Sequence, residues 1–281
     1  MANKAATASG NSILQSNFLF GILVLPKPQR EAVKAVYAFC RAADDAVDVE
    51  PGTGAEGLAR WREEVDLLFH STPRTPVMQA LFPFVRIHRL KREYFDRILE
   101  GFAMDLARRR YATVEELESY CDCVAWAPGL LVLQVLGAHD EPGAREYSRQ
   151  LACGLQLTNI LRDLGPDLKT DRVYLPQSDL TTFGVTEAAL KAAEPTQEFH
   201  ELARYEIGRA RAYFARAQRA LTPALRRALA GPEIMRETYE ALLVKVAAAP
   251  DRALDPSVPR ARLPLLDRVS ARGVPRGAAA P

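Results

Sequence analysis

No stretch of this chain alternates β-branched and polar residues between two tight turns, so nothing in it reads as a strand of a half-buried sheet. The helical period recurs instead, in a sequence rich in Ala, Leu, Arg and Glu, which lose little on entering a helix. Pro28 suits a first helical turn, and the apolar period after it runs to about Val49, where Pro51-Gly52-Thr53-Gly54 stops it. Further helices are predicted over 55–69, 77–86 and 91–105, with a loop at 72–76. Thr113 and Glu116 have the spacing of a capping box, opening a helix that runs toward Leu136 and ends at Gly137. Asp140 is placed to cap the next helix, with Pro142 in its first turn, reaching about Leu164. The stretch 165–184 reads as irregular. Thr196 caps a long amphipathic helix through Leu221, and a last helix covers about 232–248. One all-α domain over residues 1–281 is expected, with its core at about 12–249. The tail at about 250–281, rich in Pro, Arg and Ala, is expected to be partly disordered.

At 281 residues the chain can bury a sizeable core, and 48% apolar with 26% charged residues is ordinary for a globular protein. A net charge of +2 gives no bulk attraction to nucleic acid. Seven of the 37 basic residues are lysine, leaving 30 arginines; coding bias accounts for most, and only those beside acidic groups invite a functional reading. Cys40, Cys121, Cys123 and Cys153 show no metal-ligand spacing and read as buried thiols of a reducing cytoplasm. The opening MANKAATASG lacks the apolar centre of a signal peptide. FLFGILVL before Pro26 is too short to span a bilayer, and 124–138 is interrupted by Pro128 and Gln134, though either can touch a membrane surface.

Two acidic clusters sit in otherwise apolar helical sequence. With Asp44 at zero and roughly 100° per residue, Tyr37 falls at about 20°, Asp48 at about 40°, Arg41 at about 60° and Asp45 at about 100°. One face thus carries three carboxylates, an arginine and a tyrosine, which repel unless a cation sits among them; oxygen-only ligands suit Mg²⁺ first. On the same count Gln156, Asn159, Asp163 and Asp167 share an arc of about 80°, flanked by Leu155, Leu157, Ile160, Leu161 and Leu164. Either cluster alone also reads as a solvated face with intrahelical pairs such as Arg41–Asp45. Two of them in one all-α chain point to a paired site.

These residues carry a resemblance to the squalene/phytoene synthase family of head-to-head prenyltransferases. It rests on LPKPQREAVKAVYAFCRAADDAVD (25–48), GFAMDL (101–106), SYCDCVAWAPGLL (119–131) and GLQLTNILRDLGPDLKTDRVYLP (154–176). FCRAADD and LTNILRD are most similar to the wording of bacterial presqualene diphosphate synthases of hopanoid biosynthesis. The resemblance implies the all-α isoprenoid synthase bundle around a central apolar cavity. It implies Asp44, Asp45 and Asp48 around Mg²⁺ and one diphosphate, and Asn159, Asp163 and Asp167 around Mg²⁺ and the other, with Mn²⁺ as a substitute metal. It further implies Arg41, Arg162 and Arg172 near diphosphate oxygens and Gln156 as a polar residue of the pocket. Tyr120 is implied to handle the carbocation or its proton, and Tyr37 and Tyr174 to lend hydroxyls to the diphosphate region.

The implied reaction condenses two farnesyl diphosphates to presqualene diphosphate in a dry cavity, for whose wall Ala125, Gly129, Leu130 and Val132 are suited. NADPH is not expected for that step, and no nucleic acid is. A cytoplasmic protein is implied, peripheral on the inner face of the membrane and working beside downstream squalene-forming enzymes. The chain departs from the family's usual wording at Gly165-Pro166, which places Asp167 past a helix end, at AWAPG (125–129), where Trp126 and Pro128 predict a narrower or locally unwound wall, and at Gln15-Ser16-Asn17-Phe18. Alternatives are phytoene or dehydrosqualene/squalene synthesis, or a non-catalytic scaffold or assembly protein of the same fold.

Overall fold

The computed structural model describes residues 19–48, 54–107 and 110–258, with the backbone alone for Leu19, Phe20 and Asp48. Its helices are α1 Leu19–Leu23, α2 Lys27–Asp48, α3 Gly54–His70, α4 Pro76–Ile87, α5 Arg92–Leu106, α6 Val114–Cys121 and α7 Ala127–Leu136. They continue as α8 Ala144–Arg162, α9 Leu164–Lys169, α10 Gln177–Thr182, α11 Glu187–Lys191, α12 Gln197–Ala220, α13 Pro223–Ala228, α14 Ala230–Ala248 and α15 Asp251–Leu254. No strand occurs among the described residues, as the missing period-two pattern foretold. The buried apolar side chains form one contiguous cluster from Ile22 to Leu254, which carries the core past the expected limit at 249.

Spacing explains how α2 is used. Ala32, Val36, Phe39, Ala43 and Val47 recur at three- and four-residue intervals and are buried, a face that packs toward α3, α4, α5 and α7. The adjoining face carries Tyr37, Cys40, Arg41 and Asp44 toward a cavity. α8 runs through the middle, buried on most sides, and lies along α12. Gly154 permits this approach, since a Cβ there would stand 2.7 Å from the Phe214 ring.

Chain punctuation is partly relocated. Thr196 caps α12 as expected, its hydroxyl accepting from Phe199 N at 3.2 Å, and Gly137 ends α7 with φ +70°. Glu116 reaches back to Ala112 N at 2.8 Å, while the Thr113 side chain makes no cap bond. Asp140 does not cap α8. Its carboxylate pairs with His139 Nδ1 at 2.8 Å, and Gly143 at φ +82° takes the cap position three residues later. The stretch 165–184 is more ordered than its prolines suggested, because it holds most of α9 and all of α10.

Both departures at proline resolve through helix register. α6 and α7 are joined by a π-helical segment, Asp122–Trp126, with Ala127 N bonded to Asp122 O. The wider turn lies just ahead of Pro128, which falls in the first turn of α7. Trp126 is not part of the cavity lining; its ring lies near the Arg145 and Arg149 guanidinium groups at 6.0 and 5.9 Å. Near Pro166 the helix does break, but at Asp163 (φ −107°, ψ 15°). Pro166 then lies in the first turn of α9, and Asp167 N still bonds Asp163 O at 3.0 Å.

Candidate active site

Two adjoining chambers lie between α2 and α8. The first, about 220 Å³, is apolar: Val36 of α2, Val124 and Ala125 of the π segment, Pro128, Gly129 and Val132 of α7, and Leu151 and Leu155 of α8 line it. Ala125, Gly129 and Val132 stand in this wall, although ordinary helix packing is the simpler reading of their sequence. Leu130 does not; it is 1% exposed, turned into the core. The second chamber, about 370 Å³, is polar, and Tyr37, Cys40, Val124, Gln156 and Asn159 line both. Burial at this junction pushes the Cys40 thiol up to about 12, so it stays neutral.

Besides Val124 of the π segment, the polar chamber gathers side chains from five parts of the chain. α2 gives Arg41 and Asp44, α5 gives Phe102 and Asp105, α6 gives Tyr120, α8 gives Gln156, Asn159 and Arg162, and the segment after it gives Asp163, Asp167 and Tyr174. Asp167 keeps its place beside Asp163 because helical bonding resumes at once, Asp167 N bonding Asp163 O. Asp45 is not part of the lining. It is 51% exposed and held by Arg41 Nη2 at 2.6 Å, the intrahelical pair its i,i+4 spacing allowed. Arg172 is not in the lining either; its backbone N–H donates to Asp167 O at 2.9 Å and holds the end of α9. The side chain of Asp48 and the segment 15–18 lie outside the described residues.

The guanidinium and carboxylate of Arg162 and Asp163 meet side on, with bonds of 2.8 and 2.6 Å. Burial disfavours the Arg162 cation, but the bonds to Asp163 outweigh it and raise its pKa. Across the chamber Arg41 Nη1 stands 3.4 Å from Asp44. In the same lining Asn159 Oδ1 is buried with no hydrogen-bond partner, which is costly unless a ligand supplies one.

Sequence reasoning gave no role to Asp105, which proves central. It accepts the Tyr120 hydroxyl at 2.9 and 3.1 Å and the Tyr174 hydroxyl at 2.6 Å. Burial, then the Asp105 charge, pushes both phenols up, so they remain donors at neutral pH. The rings of Tyr120 and Tyr174 stack at 5.2 Å, with Tyr111 against Tyr120 at 5.4 Å. Tyr174 is brought there by stitching between distant segments: Gln177 N to Tyr111 O at 2.8 Å, and Arg110 Nη1 to Asp171 O at 2.8 Å. The one available signal for Asp105 was a lone acid in the quoted GFAMDL segment.

Comparisons with known proteins point to one family. The squalene/phytoene synthase family model matches residues 15–267. A presqualene diphosphate synthase of Rhodopseudomonas palustris is 34% identical over 233 residues, 82% of this chain and 83% of its own. A phytoene synthase of Arthrospira platensis is 36% identical over 73% of this chain and 71% of its own. Among solved structures, the squalene synthase HpnC from Alicyclobacillus acidocaldarius superposes with a TM-score of 0.76 at 31% identity, covering 83% of this chain and 89% of that one. A dehydrosqualene synthase solved with a ligand gives 0.78 at 27% identity over 95% and 93%. The chain belongs to the squalene/phytoene synthase family. It is a head-to-head prenyltransferase with the all-α isoprenoid synthase fold, acting on prenyl diphosphates.

Proposed function

We propose that this prenyltransferase condenses two molecules of farnesyl diphosphate to presqualene diphosphate. The observation that carries this reading is the wall of Tyr37, Cys40, Val124, Gln156 and Asn159 that the two chambers share, which places an apolar tail site beside an anionic head site. The match to a presqualene diphosphate synthase over more than four fifths of both chains supports the choice of product. A second reading, phytoene synthesis, is favoured by the 36% identical relative.

The donor set suits a divalent ion that arrives with diphosphate. Among the described residues no three His, Cys, Asp or Glu side chains converge as a ready cage. Asp44, Asp163 and Asp167 line one chamber with the unpartnered Asn159 oxygen. Mg²⁺ is commonly held by one or two carboxylates plus phosphate oxygens and water, and such a wall provides the protein's share. Asp48, the next acid along α2, belongs to the same proposed set; Asp45, turned outward, tunes Arg41. Bound with the diphosphate, Mg²⁺ or Mn²⁺ would neutralise charge on the leaving group.

The chain's own groups do the rest. Arg41 and Arg162 supply donors to diphosphate oxygens, with Arg172 behind Asp167, and Gln156 and Tyr37 hold the junction where head meets tail. The apolar walls exclude water that would quench an allylic cation. One C–C bond closes between the chains, a second closes the cyclopropane, and one diphosphate and one proton leave. The oxygen of Tyr120 can take that proton as its own passes to Asp105. No hydride moves, so NADPH has no part in this step. The product is apolar enough to suit peripheral contact with a membrane and hand-over to squalene-forming enzymes.

Product analysis tests the proposal. With Mg²⁺ and farnesyl diphosphate, presqualene diphosphate and free diphosphate should accumulate, and adding NADPH should leave the product unchanged. Phytoene from geranylgeranyl diphosphate as the main product would favour the second reading. Absence of diphosphate release from every chain length would reject both.

A further inference from the structure

At the end of the apolar chamber that shares no residue with the polar one, α1 crosses the start of α14 with the Gly21 and Gly231 backbones in close approach. A Cβ on Gly21 would stand 2.7 Å from the Gly231 carbonyl oxygen and 2.9 Å from Met235 Cγ. One on Gly231 would stand 2.5 Å from the Gly21 carbonyl oxygen and 3.1 Å from Leu25 Cδ2. Neither glycine has the left-handed backbone that would itself require glycine; the opposing backbone is what forbids a side chain. Gly21, Ile22 and Leu25 from one side and Gly231, Pro232 and Met235 from the other form this end of the chamber.

We infer that the Gly21–Gly231 crossing is the stop that fixes how long a prenyl chain the chamber accepts, holding it to farnesyl length. The inference rests on the prenyl reading above and names what sets chain length within it.

The two sides of the crossing are unequally held. α14 is 19 residues long and anchored at its first turn. Tyr147 Oη donates to Glu233 Oε1 at 2.8 Å, and Arg236 Nε donates to the same oxygen at 2.9 Å. Farther along, Tyr239, Leu242 and Leu243 are fully buried. α1 has five residues and packs on α14 and the start of α2. A methyl group on Gly231 points at the α1 backbone, not into the chamber, so α1 is the side that yields. Restoring ordinary contact takes a shift of about 1 Å. Gly21, Ile22 and Leu25 move with it, and the chamber lengthens. Met235 offers a second handle, since trimming it empties the same end without a clash.

The experiment measures binding of two unreactive probes, farnesyl and geranylgeranyl thiolodiphosphate, with Mg²⁺ by calorimetry. Wild type, Gly231→Ala and Met235→Ala are compared, each checked for folding by thermal melting. Wild type should prefer the shorter probe, and each variant should move the ratio of affinities about tenfold toward the longer, the scale at which apolar pockets discriminate small changes in length. With natural substrates the same variants should shift products toward the longer chain. Should Gly231→Ala fail to fold, Met235→Ala carries the test. An unmoved ratio in the folded variants, or a wild type that binds both probes equally, overturns the inference and leaves the prenyl reading standing. A wild type that binds neither probe rejects the prenyl reading, and the inference falls with it.

Discussion

The two acidic groups of the polar chamber use the same residue types in opposite surroundings. On α2, Arg41 is 51% exposed and its partners Asp44 and Asp45 are 39% and 51% exposed. At the end of α8, Arg162 and Asp163 are 15% and 12% exposed and joined by two bonds. Ion pairs in water add about 0–1 kcal/mol, so the α2 group is held lightly by its own contacts. A buried pair gains little over an apolar replacement, yet removing one partner strands the other's charge. The α8 group is therefore a fixed template and the α2 group an adjustable one, and a ligand binding between them reorganises mainly the α2 side.

The largest expected effect comes from breaking the fixed side. Asp163→Asn leaves the Arg162 cation buried with half its partner, and should cost about 3 kcal/mol in chemical denaturation and about 10³-fold in turnover. If denaturation is unchanged, the two groups do not differ as their burial says. Next, Asp44→Asn should lower turnover about 100-fold with thermal melting unchanged, since its carboxylate is wet. Asp45→Asn, the matched control one residue on, should change turnover little; equal losses at 44 and 45 would show that α2 rotates on binding. A milder loss than at Asp44 is expected at Asp105, which lines the same chamber and holds the Tyr120 and Tyr174 hydroxyls. Asp105→Asn should reduce kcat about tenfold at constant KM, because the Tyr120 and Tyr174 hydroxyls lose their charged acceptor but keep their place in the ring stack.

Much of this was legible in the residues, for reasons that differ by element. α2 and α12 could be read almost to their ends, because apolar period, a proline in the first turn and a threonine cap are local signals. The stripe Gln156, Asn159, Asp163, Asp167 was legible by angle alone, and it survived a helix break because α9 begins one residue later. Asp45 was misplaced because 100° from Asp44 is far enough to leave a chamber yet near enough to look like part of a cluster. Asp140 looked like a cap, but a buried histidine beside it competed for its carboxylate and won.

The sequence by itself determined that the chain is helical, where most helices begin and stop, and that two of them carry oxygen-bearing faces. Each of these follows from neighbours within one or two turns. Only the tertiary structure decided that Asp105 joins Tyr120 and Tyr174, that Leu130 faces the core while Gly129 faces the chamber, and that two glycines 210 positions apart close its end. Those facts depend on how helices cross and on which backbones touch, and crossing is set by packing over the whole bundle, which no local period records.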